Sequence, residues 1–193
     1  NVGPNTFVPL SKLSCVEGFA EGDQIQMAVI ESGIVNFKIY EYWESDAGWV
    51  DTDEMEVVGE DIGFSVGEAA WFVSTEPKQI TFAGQVKSGP AIHTFKDSMT
   101  IIVSAFPVDF RPNSANISWG CGEGDQIQVP SMEDGIVNFK VYEYWESDAA
   151  WVDTDEMEVL DPDFAVNTVG KGFWFVTSNP DTVTFTEISP LAK

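Results

Sequence analysis

Between residues 34 and 43 the chain alternates. Val35, Phe37 and Ile39 fall on one side of an extended strand, Asn36 and Lys38 on the other, in a run rich in β-branched and aromatic residues. A turn at 31–33 precedes it, so 24–30 and Ile34–Trp43 are expected to form a hairpin. Ser45-Asp46-Ala47-Gly48 makes the next turn, and a strand resumes at Trp49-Val50. Short runs at 55–58, 64–66, 71–74 and 80–85 read as further strands, separated by turn clusters at 59–61, 67–68 and 76–78. No stretch keeps a helical period for more than a turn or two. This spacing predicts an all-β chain built of antiparallel β-sandwiches, immunoglobulin-like or jelly-roll-like.

The pattern then occurs again. Residues 22–57 read GDQIQMAVIESGIVNFKIYEYWESDAGWVDTDEMEV, and 124–159 read GDQIQVPSMEDGIVNFKVYEYWESDAAWVDTDEMEV, identical at 29 of 36 positions with an offset of 102. One extra residue after Val159 moves the offset to 103, so that Trp71-Phe72-Val73 matches Trp174-Phe175-Val176. A period near one hundred suits a small domain and is too long for a solenoid repeat. Two tandem domains are therefore expected, 1–88 and 89–193, with the linker at 87–90. Domain two opens with a strong strand signal at 98–106, SMTIIVSAF, which domain one lacks. Either the short apolar run at 6–10 fills that place, or domain one is left with an open edge.

Composition narrows the function. The 193 residues are 44% hydrophobic and 13% aromatic, a folded chain. With 32 acidic and 9 basic residues the net charge is −23, which repels nucleic acid and anionic membranes. The apolar runs are too short to insert into a bilayer. The chain opens on Asn without a basic, apolar leader, which fits a processed, secreted form. Cys15 and Cys121 are not equivalent in the duplication: in an oxidising compartment they form a disulfide within the chain or between subunits, and two buried thiols are the alternative.

No catalytic set is legible. The single histidine, His93, lies outside the duplicated segment, and no zinc spacing or phosphate-binding glycine loop is present. Two other features carry candidate chemistry. Residues 44–56 hold six carboxylates and no base, and 146–158 repeat all six. Hard cations take oxygen ligands from such loops, so Asp46, Asp51, Asp53 and Glu54, with Asp148, Asp153, Asp155 and Glu156, are candidate Ca²⁺ ligands. A solvated acidic turn is the alternative. Trp43 and Trp49, and their copies Trp145 and Trp151, flank one turn beside acids, as in faces that stack sugar rings; a cross-strand structural pair is the other reading.

The order of signals, Ile102-Val103-Ser104-Ala105-Phe106-Pro107, then Gly22–Gln26, Tyr40–Trp43, Gly48–Asp51, Gly67–Val73 and Thr81–Gly84 with their second copies, resembles tandem β-modules of uncharacterised secreted and cell-surface proteins of bacteria. The resemblance implies an extracellular or cell-surface location and a structural or adhesive role, and implies no enzymatic reaction. The expected function is a subunit that polymerises head to tail into an extracellular filament or surface layer, a terminal segment (1–13 or 183–193) completing domain one of the next copy. The alternative is a bivalent glycan-binding adhesin using the four tryptophans, with or without calcium.

Overall fold

The computed structural model describes residues 7–15, 18–32, 34–64, 67–81, 89–95, 98–178 and 183–189. The expected linker and the outer parts of the 64–66 and 80–85 strands fall wholly or partly outside these residues, as do 1–6 and 190–193. The chain divides into two compact units, Asn1–Gln85 and Val86–Lys193. Both are all-β, with antiparallel sheets.

Unit 1 contains β1 (Val8–Pro9), β2 (Ser14–Cys15), β3 (Gln24–Glu31), β4 (Ile34–Trp43), β5 (Gly48–Asp51), β6 (Glu56–Val57), β7 (Gly63–Phe64), β8 (Trp71–Val73) and β9 (Ile80–Thr81). Its main sheet has the order β6-β5-β4-β3-β8, with β1-β7 and β2-β9 as two small pairs. Gly63 lets β1 lie against β7, because a Cβ there would collide with the Val8 carbonyl. Unit 2 contains β10 (Ala91–Thr94), β11 (Met99–Ile102), β12 (Ile117–Trp119), β13 (Gln126–Glu133), β14 (Ile136–Trp145), β15 (Ala150–Asp153), β16 (Glu158–Val159), β17 (Phe173–Val176) and β18 (Thr184–Glu187). Its sheets run β11-β17-β13-β14-β15-β16 and β10-β18-β12.

The expected hairpins form. In unit 1 Gln24 faces Glu41 and Glu31 faces Ile34; in unit 2 Gln126 faces Glu143 and Glu133 faces Ile136. Asp134 and Gly135 close the second hairpin with φ of 51° and 78°, the left-handed pair that a two-residue connection of the I′ kind requires. Each hairpin is longer than its neighbours. β8 pairs only with 24–26 of β3, and β5 only with 40–43 of β4, so beyond them the two strands run on as a ribbon; β13 and β14 do the same.

The cores differ in size. In unit 1, Leu10, Ile25, Tyr40, Trp49 and Phe64 pack together. In unit 2 the cluster holds Ile127, Tyr142, Trp151, Phe173, Phe175 and Phe185, and is enlarged by Phe95 and Ile102 from the segment that precedes the duplicated part. Phe95 stacks on Phe175 with ring centroids 4.3 Å apart. Apolar burial is the main driving force for folding, and among the described residues unit 2 buries the larger apolar cluster.

Candidate functional site

The acidic loops are built around one buried carboxylate each. Asp51 ends β5; its Oδ1 accepts the amides of Asp53 and Glu54 at 3.0 and 3.4 Å, and its Oδ2 lies 2.7 Å from Lys38 Nζ. Met55 then turns back, donating to the Asp51 carbonyl with a φ of 56°. Asp153 repeats this with Asp155, Glu156 and Lys140, and Lys140 also reaches Asp155 Oδ2 at 2.7 Å. Burial opposes the charge on Asp51 and Asp153, but the lysine and the two amides outweigh it and hold both pKa values below the usual carboxylate range. Asp53 and Glu54 are exposed, and Asp46 accepts from Ser45 Oγ at the preceding turn. Among the described residues no three His, Cys, Asp or Glu side chains come together to hold a metal ion. Asp46, Asp51, Asp53 and Glu54, and likewise Asp148, Asp153, Asp155 and Glu156, are thus not brought together as a calcium site: the central carboxylate is spent on fastening the turn.

The tryptophans do not make a platform. Tyr42 faces Trp49 across the β4–β5 ladder and Trp43 faces Gly48, so Trp43 and Trp49 project from opposite faces of the sheet. Trp49 is 3% exposed and Trp151 is fully buried; both are core residues. Trp43 and Trp145 lie on the outer face, where each indole N–H donates to a carboxylate, Glu41 or Glu143. A hydrogen-bonded row, Gln26 to Gln24 to Glu41, continues from Trp43, and Gln128, Gln126, Glu143 and Trp145 duplicate it. Cys15 and Cys121, in units 1 and 2, are each half-buried. Burial, with the neighbouring Asp125 carboxylate, pushes the Cys121 thiol far above its ordinary pKa and keeps it protonated.

Two buried carboxylates escape a sequence reading because their partners are far away in the chain. Asp23 is buried and bonded by Lys78, by Ser74 Oγ at 2.6 Å and by the Ala20 amide at 2.8 Å. Burial raises its pKa, but these donors together carry it below the usual range. In unit 2, Glu187 on β18 accepts Ser104 Oγ at 2.8 Å and the Ala105 amide at 3.1 Å, with His93 Nε2 3.2 Å away. His93 stacks on Phe185 at 4.0 Å. Glu187 therefore anchors both ends of the segment that carries β10 and β11.

That segment is the main difference between the units. β11 pairs with β17 along four residues, Met99 to Val176 through Ile102 to Phe173. β8 is the counterpart of β17, and among the described residues no strand lies beyond it. The consequence is visible in burial. Trp174 and Phe175 are buried, whereas Trp71 and Phe72 are only half-buried and Val73 is 45% exposed. Trp71 is thus less buried than Trp174, and among the described residues it has no such covering strand. Residues 7–10 do not fill the gap: β1 sits on β7, the place that Phe110 takes in unit 2 by bridging Asn167.

Comparison with protein-family models, characterised proteins and solved structures finds no match.

Proposed function

We propose that the chain is a structural subunit of an extracellular filament or surface layer, in which the β8 edge of unit 1 accepts a β-strand from a neighbouring subunit. The observation that supports this is the contrast between β8 and β17. An edge of half-buried aromatic residues with no further strand beside it among the described residues is a template for strand addition. Unit 2 carries its own filler, β11, and so displays what the incoming strand must offer: an apolar residue opposite Trp71 and another opposite Val73, as Ile101 and Met99 stand opposite Trp174 and Val176. Such a contact joins unlike surfaces and does not close on itself, so it propagates into a fibre.

The donor differs from the one expected. Residues 7–13 are held in unit 1, with Leu10 fully buried, and β18 is the central strand of the smaller sheet of unit 2. Neither described terminal stretch is available for donation without unfolding its own unit. The donor is instead the 98–106 strand itself, exchanged between copies: it is the edge strand of its own sheet, covering β17 within one copy and β8 of a neighbour after exchange. No catalytic role is part of this reading, and the bivalent adhesin loses its platform with Trp49 and Trp151 in the cores.

A synthetic peptide of sequence 98–106 tests the edge. It should protect the amides of Trp71–Val73 from hydrogen exchange and compete with self-assembly, and Val73→Lys, which places a charge on the edge, should weaken both effects. No protection at β8, with assembly indifferent to Val73→Lys, would end the proposal.

A further inference from the structure

We propose that the outer faces of the two hairpin ribbons are a second self-association surface, each packing against the same face on another copy of this chain. The inference deepens the assembly reading but does not depend on the β8 edge.

Side chains alternate along a strand, so the ladder registers assign the faces. On the side away from the core, the first ribbon presents Ala28, Ile30, Val35, Phe37 and Ile39, and the second presents Pro130, Met132, Val137, Phe139 and Val141. These are not core residues: Phe37 is 39% and Phe139 42% exposed. Lys38 and Lys140, which bond the buried aspartates, sit on the inward face. On this side Phe37, Met132, Val137 and Phe139 are exposed and the other apolar residues half-buried, and at the ribbon tips the inward Ile34 and Ile136 are exposed as well. Apolar faces of this kind on a soluble chain mark interaction sites, and a two-stranded ribbon is marginal in water until something covers it.

Three observations identify the partner as a second copy. First, charge. Neither outer face carries a charged side chain until Glu41 or Glu143 is reached, whereas the whole chain carries −23. Copies repel each other elsewhere, and the ribbon faces are where they approach at least cost. A cationic partner would be drawn to the acidic loops instead. Second, substitution between the units. Four of the seven differences in the duplicated segment fall at 27–30 against 129–132. Inward-facing Val29 becomes Ser131, but outward-facing Ala28 and Ile30 become Pro130 and Met132, which keeps the outer face apolar. Third, geometry. Sheets pack face to face when both faces are apolar and of one shape, and these two are near-copies. Pro130 lacks an N–H, which favours contact through the face over pairing along the strand edge.

One such contact is small beside a standard interface of about 1,600 Å². It is weak alone, but each chain carries two faces, so every contact leaves a free face at either end and growth continues.

The test uses the full chain in the Val73→Lys background, where the edge route is blocked, with sedimentation velocity over a range of concentrations. With both faces intact, oligomers should grow in an open series. Phe37→Lys alone or Phe139→Lys alone should stop at dimers, and the two together should give monomers. Lysine lowers the net negative charge, so lost association cannot be laid to added repulsion; Phe37→Thr and Phe139→Thr serve the same end if melting shows a lysine variant misfolded. A blocked chain that stays monomeric while the native chain assembles overturns this inference and leaves the edge reading standing. So does unchanged association of the doubly substituted chain. Open-ended growth of the blocked chain at native strength, abolished by the face substitutions, supports the inference and removes the edge reading.

Discussion

Ile101 lies directly opposite Trp174 in the outermost ladder of the six-stranded sheet, and this is the pairing that Trp71, the counterpart of Trp174, lacks among the described residues. Around that difference the two units are close copies, sharing hairpin register, acidic turn and the lysine–aspartate pair beneath it. Among the described residues the covering strand is the chief difference between the units, and the proposed strand addition rests on it.

Lys78 holds the buried end of unit 1. Its side chain and that of Asp23 are both over nine-tenths buried. Lys78→Met leaves the carboxylate buried beside Ser74 and the Ala20 amide without its cation, which should cost about 3–5 kcal/mol. Urea unfolding followed by hydrogen exchange at β3 and β8 checks this; a loss under ~1 kcal/mol would show that the remaining donors suffice.

Acid should loosen both turns. Asp51 and Asp153 have folded-state pKa values below their unfolded ones, so their contribution is complete above the ordinary carboxylate value of about 4 and is lost as pH falls through the depressed values. Lys38 and Lys140 are raised, chiefly by the hydrogen bonds to Asp51 and Asp153, so their contribution persists below the ordinary lysine value and is lost as pH rises through the raised one. Melting temperature should hold through neutral pH and fall below pH 4. Asp51→Asn with Asp153→Asn should destabilise the fold at pH 7 by about 1–2 kcal/mol per site, lowering the melting temperature there, and flatten the acid limb.

Much of this architecture was legible. The hairpins, their turns, the duplication and an extra strand within 98–106, formed at Met99–Ile102, follow from alternation and turn residues alone. The direction of the faces was not. Val35, Phe37 and Ile39 are the apolar side of β4, yet the ladder turns Tyr40, Tyr42 and Lys38 to the core side, because burial is decided by the wider aromatic residues at the hairpin base. The acidic loops suggested calcium because the sequence shows six carboxylates and does not show that Lys38, thirteen residues from Asp51, neutralises the central one. Asp23 with Lys78 and Glu187 with Ser104 join positions more than fifty residues apart and leave no local signature.

The core tryptophans should behave as packing. Trp151→Ala should cost about 3–5 kcal/mol and Trp49→Ala a similar amount, read from denaturant midpoints. The Trp151 indole N–H is buried without a partner, so Trp151→Phe removes an unsatisfied donor along with some volume and should cost markedly less than the alanine change. Equal losses for the two variants would mean that the N–H is satisfied.

Calcium should leave the chain's stability where it is. Millimolar Ca²⁺ ought not to raise the melting temperature beyond a magnesium control at equal ionic strength, since ligand binding to the folded state would raise it. A calcium-specific rise abolished by Asp53→Asn would show that the acidic loop closes on the ion.

The central claim, self-assembly through an open β8 edge, is met most directly by negative-stain electron microscopy of the native chain with and without the 98–106 peptide. Ordered filaments should form and should shorten as peptide is added. Dispersed single particles at every concentration would contradict the claim.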